Sequence, residues 1–242
     1  MKYTLKPFPD KNSIAELSEK AAVSPVTAAL LLQRGVSTPE AAEEFLAPKS
    51  HGDPLLLPDA EKGADILIEA RKNKSRVMIF GDYDVDGMAT TALLYKALKS
   101  LGFDAGYRLP DRLNDGYDIT PEAVREMAEE GCGVILTCDC GSRAVEAVRL
   151  AKSLGLAVIV TDHHQPGDSP SAPDALINPH REDSKYPYPY LCGAGVAYRF
   201  IHALLLRMGV KPDSFLKKYA DLVCLATVAD VVPLTGENRL LV

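Results

Sequence analysis

Three short clusters of acidic and imidazole side chains have the residue types of a metal-binding site. Each cluster directly follows an apolar run that is typical of a buried strand. The clusters are Asp82-Tyr83-Asp84-Val85-Asp86-Gly87, Asp139, and Asp162-His163-His164. In an open parallel sheet the carboxyl ends of the strands share one edge, and ligands bind in the crevice there. The sequence therefore predicts one convergent site.

So many carboxylates in one place need either raised pKa values or bound cations. Two like charges 4 Å apart repel by about 1 kcal/mol in water and by about 4 kcal/mol at an effective dielectric constant of about 20. Aspartates combined with one or two imidazoles and no thiolate suit Mn²⁺ or Mg²⁺ better than structural zinc. We expect two ions, since one aspartate between two loops can bridge metals about 3.5 to 4 Å apart.

Each cluster also has a simpler interpretation. Residues 82–87 resemble the start of a calcium loop, but Leu93 stands where such a loop needs a bidentate Glu. A lone aspartate after a strand, such as Asp139, is usually a helix N-cap. His163 and His164 cannot both face one direction on a strand. One is therefore a candidate ligand, and the other a catalytic, substrate-contacting or packed structural residue.

The elements that position the clusters indicate an α/β fold. Continuous apolar runs at 77–80, 134–137 and 157–160 are typical of strands that are buried on both faces. A weaker strand is expected at 105–109 and a fifth at 175–178. Helical patterns follow at about 60–72, 88–101, from 120, 143–154, 195–208 and 212–232. We predict a doubly wound, mainly parallel sheet with flanking helices.

A small helical segment is predicted ahead of this fold. Ser24-Pro25 begins one helical run, and Ser37-Thr38-Pro39-Glu40 begins another with capping-box spacing. Turn-forming residues make 51–59 the best linker candidate. We therefore expect a helical N-terminal segment and linker over residues 1–70 and an α/β domain over residues 71–242.

Composition favours an intracellular globular protein. Of the 242 residues, 47% are hydrophobic and 25% charged, which excludes a disordered chain. Five cysteines without a CxxC pair indicate neither a disulfide framework nor a zinc ribbon, and we expect Cys138 and Cys140 to pack as small hydrophobic residues. We find no signal peptide and no membrane span, so a cytoplasmic protein without membrane contact is expected. The net charge of −6 argues weakly against a nucleic-acid ligand, unless cations neutralise the acidic excess.

The same motifs characterise the DHH phosphoesterase superfamily. Residues 82–87, 137–142 and above all Asp162-His163-His164 resemble its motifs. Within the superfamily, residues from about 70 to 242 resemble the bacterial RecJ family, exonucleases that degrade single-stranded DNA from its 5′ end. The segments that carry this closer resemblance are 112–117, 178–180, 192–197, 226–234 and 237–239.

The resemblance implies a role for each matched residue. The implied metal ligands are Asp82 and Asp84 on one ion, Asp139 as the bridge, and His163 and Asp230 on the other ion. The implied catalytic residues are Asp139, His164 on the scissile phosphate, and Asp86 in support of the first loop. Asp230 lies in an apolar stretch, where a carboxylate needs a partner or a cation.

The resemblance implies single-stranded DNA as the substrate, hydrolysed by water activated between two Mn²⁺ or Mg²⁺ ions. Arg108, Arg112 and Arg239 are candidates for phosphate contacts, and Tyr117 for stacking on an unpaired base. Solvent-facing arginines and a turn tyrosine are equally good interpretations of these four residues. The resemblance also suggests a role in DNA repair and recombination, with a single-strand-binding protein or a helicase as partner.

Other functions fit parts of the sequence. One is a DHH phosphoesterase for short oligonucleotides, cyclic dinucleotides or pyrophosphate, and another is a non-catalytic scaffold that has lost its metals. Some family members carry a histidine shortly before the first aspartates, where this chain has Met78 and Phe80, so one ion would have fewer protein ligands. RecJ proteins continue into a DHHA1-type domain and often an OB-fold, and no trace of either appears here. We therefore expect the metal-binding portion of a longer protein, and the sequence leaves open whether it is active alone.

Overall fold

The fold is described from a computed structural model that covers residues 6–48, 52–110 and 118–242. The chain forms two compact units, one of Met1–His51 with Leu234–Leu240 and the other of Gly52–Pro233 with Leu241–Val242. This division differs from the boundary expected after residue 70. The difference arises because the helix Ala60–Lys72 buries Ala64 and Leu67 in the core of the larger unit.

The smaller unit contains three short N-terminal helices, α1 (Lys11–Lys20), α2 (Pro25–Gln33) and α3 (Pro39–Leu46). Each begins at a side chain that accepts hydrogen bonds from the first turn: Asp10, Ser24 and Thr38. Their buried residues form a core of Ile14, Leu17, Ala28, Ala29, Leu31 and Ala42. Helix α1 was not anticipated as a separate element, although Asp10 is a regular N-cap signal for it.

The larger unit is built on a five-stranded parallel sheet, which confirms the predicted fold class. Its strands are β1 (Arg76–Gly81), β2 (Ala105–Arg108), β3 (Cys132–Cys138), β4 (Ala157–Thr161) and β5 (Ala175–Ile177). Their order is β2-β1-β3-β4-β5. The strands are added on one side of β1 first and then on the other, so the strand order switches direction between β1 and β3. A reversal of this kind opens a crevice at the carboxyl edge.

Strand register brings the three acidic clusters to one level. Gly81 is paired with Cys138, and Cys138 with Thr161. The next residues are therefore neighbours at the sheet edge: Asp82 after β1, Asp139 after β3 and Asp162 after β4. The three clusters meet because β1, β3 and β4 end at the same level of the sheet.

Helices cover both faces of the sheet. One face packs against α4 (Ala60–Lys72), α5 (Val85–Ser100) and a later helix, Gly193–Arg207, while the other packs against α6 (Pro121–Glu129) and α7 (Val145–Ser153). Alternate residues of β1 point into the two layers, since Ile79 packs in the first core and Phe80 in the second.

The C-terminal region is more interrupted than the sequence indicated. It contains α8 (Gly193–Arg207), α9 (Asp213–Leu216), a 3₁₀ turn (Lys217–Tyr219), α10 (Ala220–Ala229) and α11 (Gly236–Leu241). The predicted continuous helix over 212–232 is wrong, because Tyr219 leaves helical geometry with a φ of −122° and buries its ring in the core. Across the described ranges, no helix has both the length and the apolar character of a membrane span.

Candidate metal centre

Seven of the predicted site residues lie together at the carboxyl edge of the sheet. They form three groups whose ligand atoms lie within 4.8 Å of one another: Asp82, Asp84 and Asp139; Asp139, His163 and His164; and Asp86, His163 and Asp230. Asp139 and His163 each belong to two groups. The predicted convergence is therefore present in the structure, with Asp139 between the first loop and the histidines.

The first loop supplies two carboxylates from the junction of β1 and α5. Asp82 is buried and accepts a hydrogen bond from the Tyr83 amide at 2.6 Å. Burial raises the pKa of Asp82. Asp84 caps α5 by accepting the Gly87 amide at 2.9 Å on Oδ1. Asp84 is exposed, so its other oxygen can bind a ligand at the mouth of the crevice.

Asp139 is the most constrained residue of the site. Its backbone has a left-handed φ of 62°, and its amide donates to the Thr161 carbonyl at 2.9 Å. The side chain is 2% exposed, and its Oδ1 has no hydrogen-bond partner among the described residues, although His163 Nε2 lies 3.1 Å away. Burial and the nearby Asp86 and Asp84 raise the pKa of Asp139 to about 10. The N-cap interpretation fails, because the next helix begins only at Val145.

Asp162 holds the histidine pair in place, a role that we did not assign from the sequence. Its Oδ2 accepts the Ser142 amide at 3.0 Å, and its Oδ1 accepts the amides of His163 at 2.8 Å and His164 at 3.1 Å. The same Oδ1 lies 2.8 Å from His164 Nδ1. This hydrogen bond raises the pKa of His164 and outweighs its partial burial.

The two histidines point to different places, as the sequence predicted for neighbouring residues after a strand. His163 is largely buried, and its Nε2 faces three carboxylates: Asp139 at 3.1 Å, Asp230 at 3.8 Å and Asp86 at 3.9 Å. The side chain of His164 is 51% exposed and is held by Asp162 through Nδ1. His163 therefore has the position of a candidate ligand, and the exposed ring of His164 leaves substrate contact through Nε2 as its predicted role.

Asp86 connects the first loop to helix α8. Its two carboxylate oxygens accept the amides of Gly193 at 2.6 Å and Ala194 at 2.8 Å, the first residues of that helix. Burial raises the pKa of Asp86, while these two amide donors act in the opposite direction. Because both oxygens are engaged, the geometry favours the supporting role implied by the resemblance over metal ligation.

Asp230 reaches the site from the end of α10, which explains why strand patterns could not locate it. Asp230 is the C-cap of α10, and the next residue, Val231, leaves the helix with a left-handed φ of 60°. Burial raises the pKa of Asp230. The end of a helix thus places a fourth chain segment against His163.

The predicted substrate-binding residues are distributed differently. Arg108 is paired in register with Phe80 on the edge strand and forms ion pairs with Glu126 and, at 4.0 Å, with Glu130. Arg239 belongs to the smaller unit, where its guanidinium lies 4.0 Å from the centre of the Phe45 ring. Arg112 and Tyr117 lie outside the described residues. Substrate contacts by these four residues stay predictions. A phosphate would compete with Glu126 and Glu130 for Arg108, and with the Phe45 ring for Arg239.

Two further observations concern residues near the site. Cys138 and Cys140 are buried, and burial raises the pKa of both thiols, as expected of small packed side chains.

Asn178, for which we predicted no role, donates from Nδ2 to Ser142 Oγ at 3.0 Å and to the His164 carbonyl at 2.8 Å. It thereby fixes the turn after β4. The only sequence signal was the motif Asn178-Pro179-His180.

Comparison with known proteins adds independent information. Residues 76–227 match the model of the DHH family, N-terminal domain. The chain is 39% identical over 237 residues to the single-stranded-DNA-specific exonuclease RecJ of Bacillus subtilis, covering 96% of this chain and 29% of that protein. It is 40% identical over 196 residues to the protein of the same name from Escherichia coli, covering 76% of this chain and 34% of that protein.

The fold is also similar to a solved structure, that of RecJ in complex with Mn²⁺ from Thermus thermophilus. The TM-score is 0.78 at 34% sequence identity, and the match covers 97% of this chain and 33% of that one. The chain thus spans about a third of the length of the relatives that it matches.

Proposed function

The chain belongs to the DHH family, and from that premise we propose that it is the metal-binding part of a 5′ to 3′ exonuclease for single-stranded DNA. Two observations carry the proposal together: Asp82, Asp84, His163 and Asp230 converge with Asp139 at one edge of the sheet, and Oδ1 of Asp139 is buried without a hydrogen-bond partner in the described chain. The similarity to exonucleases of 39% and 40% identity supports the choice of substrate.

Two ions, Mn²⁺ or Mg²⁺, fit the residues present. Asp82, Asp84 and Asp139 would hold one, and Asp139, His163 and Asp230 the other. The donors are carboxylate oxygens and an imidazole nitrogen, the set that these cations accept. An unpaired buried polar group costs about 1 to 3 kcal/mol, and a charged one costs more, so a cation is the expected partner of Asp139 Oδ1.

When bound, the ions would supply a water of lowered pKa and neutralise the charge of the phosphate. The chain's own residues do the remaining work. Asp162 holds His164 by Nδ1, which leaves Nε2 to donate to a phosphate oxygen. The raised pKa of His164 favours the imidazolium form, which binds an anion better than the neutral ring does.

The carboxylates also make substrate binding depend on the metal. Without cations, the acidic crevice repels a phosphate, whereas with them it becomes an anion site. We therefore propose that DNA binding is weak in chelator. Binding in Mn²⁺ should fall steeply as salt is added, because phosphate contacts release counterions. A role in repair or recombination, with a single-strand-binding protein or helicase as partner, is proposed on family resemblance alone.

The experiment that tests this function is a product assay on a 5′-phosphorylated single strand labelled at its 3′ end. We expect the labelled strand to shorten progressively from its 5′ end in Mn²⁺, and to keep its length in chelator or with Asp139→Asn. Faster hydrolysis of a dinucleotide, a cyclic dinucleotide or pyrophosphate would replace the exonuclease with another DHH phosphoesterase. Absence of Mn²⁺ binding in calorimetry would indicate the metal-free scaffold instead.

A further inference from the structure

We infer that Gly193, the first residue of α8, is a positioning residue for Asp139: its missing side chain leaves the space that the Asp139 carboxylate occupies. A Cβ atom built on Gly193 would lie 2.5 Å from Asp139 Oδ1 and 2.7 Å from both its Cβ and its Cγ. Real Cβ atoms do not approach other atoms so closely. The inference rests on the proposed function for its meaning, because Asp139 is the shared ligand of that proposal.

Neither side of this contact can move away easily. The Gly193 amide donates to Asp86 Oδ2 at 2.6 Å, and the next amide donates to Oδ1 at 2.8 Å, which fixes the start of α8. Asp139 is fixed by its left-handed backbone and by the hydrogen bond from its amide to the Thr161 carbonyl at 2.9 Å. A side chain at position 193 would therefore clash with Asp139, and the carboxylate would have to shift, because its Oδ1 has no hydrogen-bond partner among the described residues to hold it.

The position of the carboxylate matters because its Oδ1 is the buried oxygen without a partner in the described chain. Gly193 lies against this oxygen without bonding to it, since its amide is already used by Asp86. The oxygen is thus kept 3.1 Å from His163 Nε2, in a carboxylate that also lies close to those of Asp82 and Asp84. Alanine is the better helix former, so a glycine at this position is explained by the contact and not by helix propensity.

Helix α8 offers a matched control two residues further on. The three atoms nearest to a Cβ atom on Gly195 all belong to the Leu191 side chain, at 3.1 Å or more, so that side chain must give by only a few tenths of an ångström. Gly195→Ala therefore makes the same chemical change in the same helix, away from Asp139. We expect Gly193→Ala to weaken Mn²⁺ binding at least tenfold in calorimetry and Gly195→Ala to change it less than threefold. An unchanged Mn²⁺ affinity in folded Gly193→Ala would overturn the inference.

A double-mutant cycle tests the contact without metal or activity. Asp139→Gly removes the carboxylate and suits the left-handed backbone. In chelator, Gly193→Ala should lower the melting temperature when Asp139 is present, and leave it unchanged or raise it in the Asp139→Gly background. If Gly193→Ala alone does not fold, the double variant should fold. Equal losses in both backgrounds would overturn the inference.

The cycle also separates this inference from the proposed function. A wild-type chain that neither binds Mn²⁺ nor cleaves DNA, but keeps the stability coupling, would refute the function and confirm the contact. Normal Mn²⁺ binding and cleavage without the coupling would confirm the function and refute the positioning role of Gly193.

Discussion

The environment of the site raises the pKa of Asp139. Burial and two neighbouring carboxylates raise its pKa, so the metal-free folded protein keeps a proton that the unfolded chain releases near pH 4. The folded state then binds more protons than the unfolded state between these two pKa values. Its stability must therefore fall as pH rises through that window.

Asp139→Asn isolates this effect, because asparagine has the same shape, carries no charge and tolerates a left-handed backbone. Between about pH 5 and pH 9 in chelator, we expect the free energy of unfolding of the wild type to fall relative to the variant by up to about 1.4 kcal/mol per pH unit. Urea unfolding at several pH values measures the difference. If the free energy of unfolding depended on pH in the same way in both proteins, the pKa of Asp139 would not be raised in the folded state.

His164 gives a second prediction at the residue scale. Its hydrogen bond to Asp162 raises its pKa, and the protonated ring is the form expected to meet a phosphate. Asp162→Asn should lower the pKa of His164 in an NMR titration, and the loss of activity at high pH should then begin at lower pH. A pH–rate profile whose upper limb stays in place would exclude His164 as the phosphate contact.

At the scale of elements, the strands and their acidic ends were the most predictable features. Strands β1, β3 and β4 are apolar throughout because both faces are buried, and the residues that follow them must meet at one edge. Asp82, Asp139 and His163 could therefore be brought together from the sequence alone. Contacts between distant segments could not be predicted, which is why the bond of Asp162 with Ser142 and the contact of Gly193 with Asp139 emerged only from the structure.

Helices were less predictable where a local contact overrides periodicity. The apolar pattern of 212–232 continues through Tyr219, but burial of its ring interrupts the helix. The same pattern conceals the end of α10, where Asp230 turns into the site. Only the family resemblance indicated Asp230, since the next residue that marks a helix end, Pro233, lies three positions further on.

The end of α10 provides a prediction about an element boundary. Val231 is 84% exposed and has a φ of 60°, a conformation that is costly for a β-branched residue. Val231→Gly should relieve about 1 kcal/mol of strain and raise the melting temperature, while Mn²⁺ affinity changes little. Calorimetric melting with and without Mn²⁺ measures both effects. A lower melting temperature would indicate that the exposed valine side chain stabilises the fold.

At the scale of the whole molecule, the metal centre explains the charge balance. Two bound divalent cations would change the formal net charge from −6 to −2. The acidic excess that argued against a nucleic-acid ligand therefore lies in part at the candidate site for these ions. Fold and charge depend on each other here, because repulsion among the carboxylates at the sheet edge lowers stability unless a proton or a cation relieves it.

Mn²⁺ should consequently stabilise the whole molecule. By mass action, a hundredfold excess over the dissociation constant of one site adds about 2.7 kcal/mol to the free energy of unfolding. We expect the melting temperature to rise with Mn²⁺ concentration in the wild type and much less in Asp139→Asn. Equal rises in both proteins would place the bound ion elsewhere.

The central claim is that loops from distant parts of the chain form one pocket for two divalent ions. Anomalous diffraction from crystals soaked in Mn²⁺ tests it most directly. We predict two peaks on either side of Asp139, one next to Asp82 and Asp84 and the other next to His163 and Asp230. Peaks at other places, or none at saturating Mn²⁺, would contradict the account.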